Sequence, residues 1–133
     1  MIDPDLIRLL SDSPYHHSYR EEDIYRTIIP AIRNNQYLMT DDGDRLTGFM
    51  SWAFMLPEQA EGYVNKTRRL RAADFSRKQG DLWFIDFIAP YGNVRQIIRE
   101  FQAEFQPRYP DIKFGKMFRR AKGYDARVIV RTK

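Results

Sequence analysis

Asp86 places a carboxylate in the middle of an apolar run, Leu82-Trp83-Phe84-Ile85-Asp86-Phe87-Ile88-Ala89. Burying an isolated charge costs several kcal/mol, so this position demands a partner or a solvated strand face. A buried Arg could satisfy it. Alternatively it orients a general base, as the carboxylate of a hydrolase triad orients its imidazole. His16, which follows Ser13-Pro14-Tyr15, is of the one side-chain type whose proton affinity suits transfer near neutral pH. A surface His in a polar loop is the plainer reading. Periodicity alone does not bring His16 to Asp86, since the two stand 70 positions apart. A third feature is the turn Ala89-Pro90-Tyr91-Gly92-Asn93, which leads from a strand into the start of a helix, where free N–H groups favour a phosphate. Its single Gly is too few for a P-loop or a dinucleotide fingerprint, and an ordinary strand-to-helix turn would look the same.

These residues sit in a chain of 133 residues, 43% hydrophobic and 30% charged, which suits one domain over residues 1–133. The absence of cysteine removes disulfides, thiolate zinc sites, iron–sulfur clusters and a Cys nucleophile together. Its two histidines, His16 and His17, are adjacent, so a His-rich metal site is not expected, although carboxylates alone could hold Mg²⁺. The net charge of +4 is unevenly spread. Lys66, Arg68, Arg69, Arg71, Arg77 and Lys78 stand against Asp74, and eight basic residues from Lys113 to Lys133 stand against Asp125. Such clusters are often no more than solvated faces, but they also suit an acidic partner: nucleic acid, an anionic surface or an acidic protein. Apolar runs of only a few residues exclude a membrane-spanning helix. The acidic start Met1-Ile2-Asp3-Pro4-Asp5 lacks the apolar stretch of a secretory signal, so a cytoplasmic location is expected.

The elements that must position these residues follow from caps and periodicity. Asp3 and Pro4 start a short helix carrying Leu6, Ile7, Leu9 and Leu10, halted by Ser11-Asp12-Ser13-Pro14. Ser18 and Glu21 form a capping box for a second helix with Ile24, Ile28 and Ile32 as its stripe, kinked or shortened at Pro30. The period then becomes extended: 36–40, the turn Asp41-Asp42-Gly43-Asp44 and 45–55 read as a hairpin. Pro57-Glu58 opens a basic helix reaching about residue 75, and Gln79-Gly80-Asp81 turns into the apolar strand, placed centrally. Asn93 and Gln96 cap a helix with Val94, Ile97, Ile98, Phe101 and Phe105, ended by Pro107 and Pro110. Two strands, 112–119 and 126–132, close the order ααββαβαββ. It implies an α+β fold with a mixed sheet, the helix over 93–105 crossing between parallel strands. Phe49, Met50, Met55 and Phe84 are read as core.

In order and spacing, Ser13-Pro14-Tyr15-His16, Ile29-Pro30-Ala31-Ile32-Arg33-Asn34-Asn35-Gln36-Tyr37, Ser51-Trp52-Ala53 and Trp83 to Gly92 resemble the toxin-activating lysine acyltransferases, which fatty-acylate RTX protoxins. The resemblance runs from about Leu6 to about Phe105. It implies a GNAT-like fold, a mixed central sheet flanked by helices, and an acyl-carrier-protein thioester as donor with no bound cofactor. The acceptors would be lysine ε-amines of a target protein, an RTX-type protoxin or another. Carried over by motif, His16 is the catalytic His, Asp86 its partner and Ser13 part of the sensitive Ser-Pro-x-His segment. N–H groups around Tyr91, Gly92, Asn93 and Val94 would hold the donor's phosphate or the oxyanion. Three departures stand out: a start close to the His motif, Thr27 where Asn is expected, and a stop near the last strand without the family's C-terminal extension. They leave the target more open than the chemistry. A homodimer is left open, nucleic acid is not expected as a partner, and the alternatives are an acyl-CoA-dependent GNAT-like enzyme and a basic nucleic-acid-binding module.

Overall fold

A strand as apolar as Asp81–Ile88 (β3) needs neighbours on both edges and cover on both faces, and it has them. The computed structural model describes residues 2–14, 16–65, 69–76, 79–121 and 124–132, with 118–130 described by backbone alone. One five-stranded sheet runs in the order β1 (Tyr37–Asp41), β2 (Leu46–Met55), β3, β4 (Phe114–Ala121), β5 (Tyr124–Arg131). β1–β2, β2–β3 and β4–β5 pair antiparallel, whereas β3–β4 is parallel and joined through the helix Val94–Arg108 (α5). The mixed α+β architecture is therefore as the sequence pattern implies, with β3 central.

On one face, α5 presses Ile97, Phe101 and Phe105 onto Met50, Trp52, Phe54, Leu82 and Phe84. The indole of Trp52 meets the rings of Phe101 and Phe105 edge-on at 5.2 and 5.5 Å, a favoured aromatic geometry. Val94 and Ile98 do not share in this stripe fully: Val94 is exposed and Ile98 only partly covered. Phe49, Met50, Met55 and Phe84 are all core.

The opposite face carries the N-terminal helices. Helix α1 (Pro4–Asp12) is capped by Asp3, whose side chain accepts from the Asp5 N–H, and it buries Leu6, Leu9 and Leu10 against Ile24, Ile28, Phe49 and Ile88. The next helix begins later than its sequence suggests. Ser18 lies in a turn, and the backbone N–H of Arg20 is instead accepted by Asp23, so α2 spans Glu21–Asp23. Pro30 does not end this segment either. A π-helical turn over Ile24–Ile28 widens the coil ahead of α3 (Ile29–Arg33), and this absorbs both the missing N–H of Pro30 and its ring. Further on, α4 covers only Pro57–Val64, and Asn65 caps its C-terminus. A separate 3₁₀ turn, Ala72–Phe75, buries Phe75. The single long basic helix is thus corrected to two short elements, with Arg69 and Arg71 on the connection between them. Lys66, Arg68, Arg77 and Lys78 lie outside the described residues. Helix α5 runs through Pro107 to Arg108, because a proline in the last turn lacks only an N–H that one bond would use.

Where β4 starts beside β3, Gly115 leaves room for an aromatic ring. A Cβ there would stand 2.4 Å from Phe84 Cε2. Gly115→Ala is expected to destabilise the fold by about 1–3 kcal/mol, read by urea unfolding, because Phe84 is fully enclosed. An unchanged unfolding midpoint would show that the ring has room to move.

Candidate active site

Helix α1 ends where its carbonyls run out of partners, and the chain turns back on itself there. The Ser13 N–H donates to Leu10 O at 3.1 Å, and the Ser13 carbonyl then accepts the N–H groups of both His16 and His17, at 3.2 and 3.0 Å. The Tyr19 N–H closes onto His16 O at 3.0 Å. Within this turn the Ser13 hydroxyl lies 2.8 Å from His16 Nδ1, so the i to i+3 spacing brings the two side chains together. His17 points to solvent.

Asp86 reaches the same place from β3, and it does so through a break in register. Met50 lies opposite Phe87 and Trp52 opposite Phe84, so Ser51 alone faces both Ile85 and Asp86. This is a bulge, with one extra residue in β3, and it reverses the alternation of the strand. Before it, Leu82 and Phe84 lie under α5; after it, Phe87 and Ala89 do, while Ile88 packs with α1. Strict alternation would have put Asp86 beside Phe84 under the aromatic face of α5. The bulge turns it to the helix side instead, where donors are available. Its backbone N–H, displaced from the ladder, donates to Ser51 Oγ at 3.1 Å.

There, Asp86 Oδ1 accepts the Tyr19 hydroxyl at 2.7 Å and lies 3.4 Å from His16 Nε2. The two partners are well enclosed, the side chains of His16 and Asp86 being 12% and 2% exposed. Burial, and then the neighbouring Asp86 charge, push the Tyr19 hydroxyl far above its ordinary value, so Tyr19 acts as a donor. Of the residues singled out by sequence, Ser13, His16 and Asp86 are thus brought together, in the linear arrangement Ser13–His16–Asp86. Tyr19 and Ser51 were given no role by sequence reasoning. The one available signal for Tyr19 was its position three residues after His16, mirroring Ser13 three residues before it.

The expected donor turn follows the C-terminal end of β3, just beyond Asp86, and its side chains are occupied. The Tyr91 hydroxyl accepts from Arg8 at 2.6 Å and donates to Asp12 at 2.5 Å, tying the turn to α1 one residue before Ser13. The bond to Asp12 raises the Tyr91 hydroxyl above its usual range. Asn93 is at the N-cap position of α5, but its side chain caps nothing. Its amide instead donates to Thr40 Oγ1 and Thr47 Oγ1, both at 3.2 Å, and to Gln96 Oε1 at 3.3 Å. The expected Asn93–Gln96 cap is therefore corrected to a tie between α5 and the β1–β2 hairpin. Gly92 has φ +81° with nothing within 4 Å of a would-be Cβ. Val94 is exposed beside it. Among the described residues no group of three or more His, Asp or Glu is placed to hold a metal ion, and no helix is long and apolar enough to cross a membrane.

Comparison with known proteins shows which family this chain falls in. The profile of the RTX toxin acyltransferase family matches residues 5–131, and the chain belongs to that family. It is 33% identical over 98 residues to the RTX-II toxin-activating lysine-acyltransferase ApxIIC of Actinobacillus pleuropneumoniae, covering 73% of this chain and 60% of that one. To the protein-lysine myristoyltransferase HlyC of Escherichia coli it is 32% identical over 98 residues, 73% of this chain and 56% of the relative. The leukotoxin-activating lysine-acyltransferase LktC of a Pasteurella haemolytica-like strain is 33% identical over 92 residues, 68% and 54% of the two chains. The matched region thus spans little more than half the length of these relatives.

Ser51 supplies the acceptor that the bulge requires. Ser51→Ala leaves the buried Asp86 N–H unpaired and is expected to lower stability by about 1–3 kcal/mol, while Ser51→Thr retains an acceptor and loses less. Equal losses in chemical unfolding would show that volume, not the hydrogen bond, is what matters there.

Proposed function

We propose that this protein transfers a fatty acyl group from an acyl-carrier-protein thioester to lysine ε-amines of a target protein, with His16 as general base. The observation that carries this reading is the His16 imidazole held between the Ser13 hydroxyl and the Asp86 carboxylate. A lysine of pKa about 10.4 is only about 0.1% neutral near pH 7.4, so an attacking amine needs a base at hand. With ionised Asp86 facing Nε2, the proton belongs on Nε2 and the lone pair on Nδ1, where the Ser13 hydroxyl donates to it. Ser13, bonded to Nδ1, can hand its proton to the imidazole as it accepts one from an incoming amine. The amine nitrogen forms a bond to the thioester carbonyl carbon, the C–S bond breaks, and the proton taken up by His16 passes to the departing thiolate. Without cysteine no acyl-thiol enzyme forms, and direct transfer is the simplest course.

The donor side is supported by backbone. β3 and β4 pair at Trp83↔Lys116 and Phe84↔Met117, and among the described residues their ladder stops there, at the bulge, although the strands run on to Ile88 and Ala121. An extended pantetheine arm with two amides suits such an unpaired strand edge. The first turn of α5 has N–H groups that no side chain caps, a setting favourable to a phosphate or oxyanion. A GNAT-like fold and a lysine-bearing RTX-type target are the expectations that the family adds. The exposed Arg69, Arg71, Lys113 and Arg131 suit an acidic carrier.

His16→Ala is expected to lower acyl transfer 10²–10⁴-fold with a small change in melting temperature, and Asp86→Asn to cripple turnover as well. If the two act as one unit, the double variant loses little more than His16→Ala alone, whereas multiplied losses defeat the assignment. Acyl-carrier thioesters should exceed matched CoA esters in kcat/KM; equal use of CoA transfers the reading to a CoA-dependent enzyme. Reversing Arg69 and Arg71 should slow carrier association and flatten its salt dependence, read by stopped-flow.

A further inference from the structure

Asp86 has one oxygen that does all its visible work. Oδ1 receives the Tyr19 hydroxyl at 2.7 Å and faces His16 Nε2 at 3.4 Å, whereas the buried Oδ2 has no partner among the described residues. The short bond is therefore the one from Tyr19, and the contact with His16 is longer than an ordinary N–H···O bond. Tyr19 also sets its ring edge against the imidazole, with centroids 5.2 Å apart and planes at 64°. One side chain thus touches both members of the pair.

We propose that Tyr19 is a positioning residue, which anchors Asp86 through Oδ1 and, by sharing that oxygen, limits how strongly the carboxylate stabilises a protonated His16. The proposal rests on the general-base reading of His16 for its catalytic meaning, but its physical content does not depend on the donor or the target. An oxygen that already accepts a short hydrogen bond is a weaker acceptor for a second donor. His16 thereby gives up its proton to the leaving thiolate more readily than it would to an undivided Asp86. Tyr19 itself is unsuited to be the base, since it keeps its proton under working conditions. The groups that face this cluster are Ser13 from the end of α1, Ser51 from β2, Asp23 from α2 and Tyr63 from α4, the last two through their charge effect on Tyr19. Ser13 bonds His16 Nδ1 and Ser51 accepts from the Asp86 N–H, so neither serine competes for Asp86 Oδ1 among the described contacts.

Tyr19→Phe keeps the ring against His16 and removes the hydroxyl alone. In a His17→Gln background one histidine ring remains, and its NMR signal can be titrated directly. The expected result is a His16 titration midpoint moved upward by about half a pH unit or more, the acid limb of kcat/KM moving with it. Turnover should fall roughly tenfold at unchanged KM for the donor as Asp86 loses its anchor. 3-Fluorotyrosine installed at position 19, a stronger donor of nearly the same size, should move the midpoint downward, and it keeps the test decisive should the Phe variant fold poorly. A His16 midpoint that stays put in both variants overturns the proposal. A midpoint that moves while the acid limb does not leaves the Tyr19–Asp86–His16 coupling established and overturns His16 as the base.

Discussion

One residue too many in β3 decides which way Asp86 faces. A carboxylate at position 86 in regular alternation would be driven among the rings of Phe84, Phe101 and Phe105, where ionisation is costly. Opposite Ser51 the strand takes up two residues instead of one, and Asp86 comes round to the face that carries the N-terminal turn. The same irregularity coincides with the end of pairing to β4. A single backbone fault therefore turns Asp86 toward His16 and marks where, among the described residues, pairing to β4 stops.

His16 is brought to Asp86 by a helix held in two ways. Leu6, Leu9 and Leu10 supply the apolar hold, and Asp5, Arg8 and Asp12 supply direction. Asp5 accepts from the Leu46 N–H at 2.7 Å and Arg8 donates to the Leu46 carbonyl at 2.7 Å, fixing the helix to the start of β2. The Leu46 N–H, with Arg8 adding to it, keeps the Asp5 carboxyl below the usual carboxylate range. Arg8 and Asp12 then grip Tyr91, so the turn expected to receive the donor and the helix that presents Ser13 and His16 are linked by direct hydrogen bonds. A role for Tyr91 in orienting that helix follows from these bonds.

Much of this was legible in the residues and some was not. The order of elements, the central place of β3, the Asp3 cap and the hairpin around Gly43 all follow from local rules, because each depends on neighbours a few positions away. Two expected caps failed for different reasons: Ser18 with Glu21 lost the helix start to a neighbouring pair, Arg20 with Asp23, whereas Asn93 was claimed by distant partners. Asn93 is drawn to Thr40 and Thr47, across a separation no sequence window sees. Asp86 could be recognised as an oddity but not aimed, since alternation predicts the wrong face and the bulge depends on pairing with β2. Tyr19 had no signature of its own. The resemblance to the acyltransferase family supplied the link between His16 and Asp86 that periodicity could not.

The separation of His16 from Asp86 along the chain also bears on how the protein comes into being. The β1–β2 hairpin closes a short loop, which is quick and needs little help. Joining the turn after α1 to the middle of β3 closes a loop of about seventy residues, a slow and entropically dear step that must wait until the central strand has formed. A nascent chain therefore emerges with its imidazole long before the carboxylate that will orient it. The contact between His16 and Asp86 is completed only in the last stages of folding, so that the pair is itself a reporter of a finished fold.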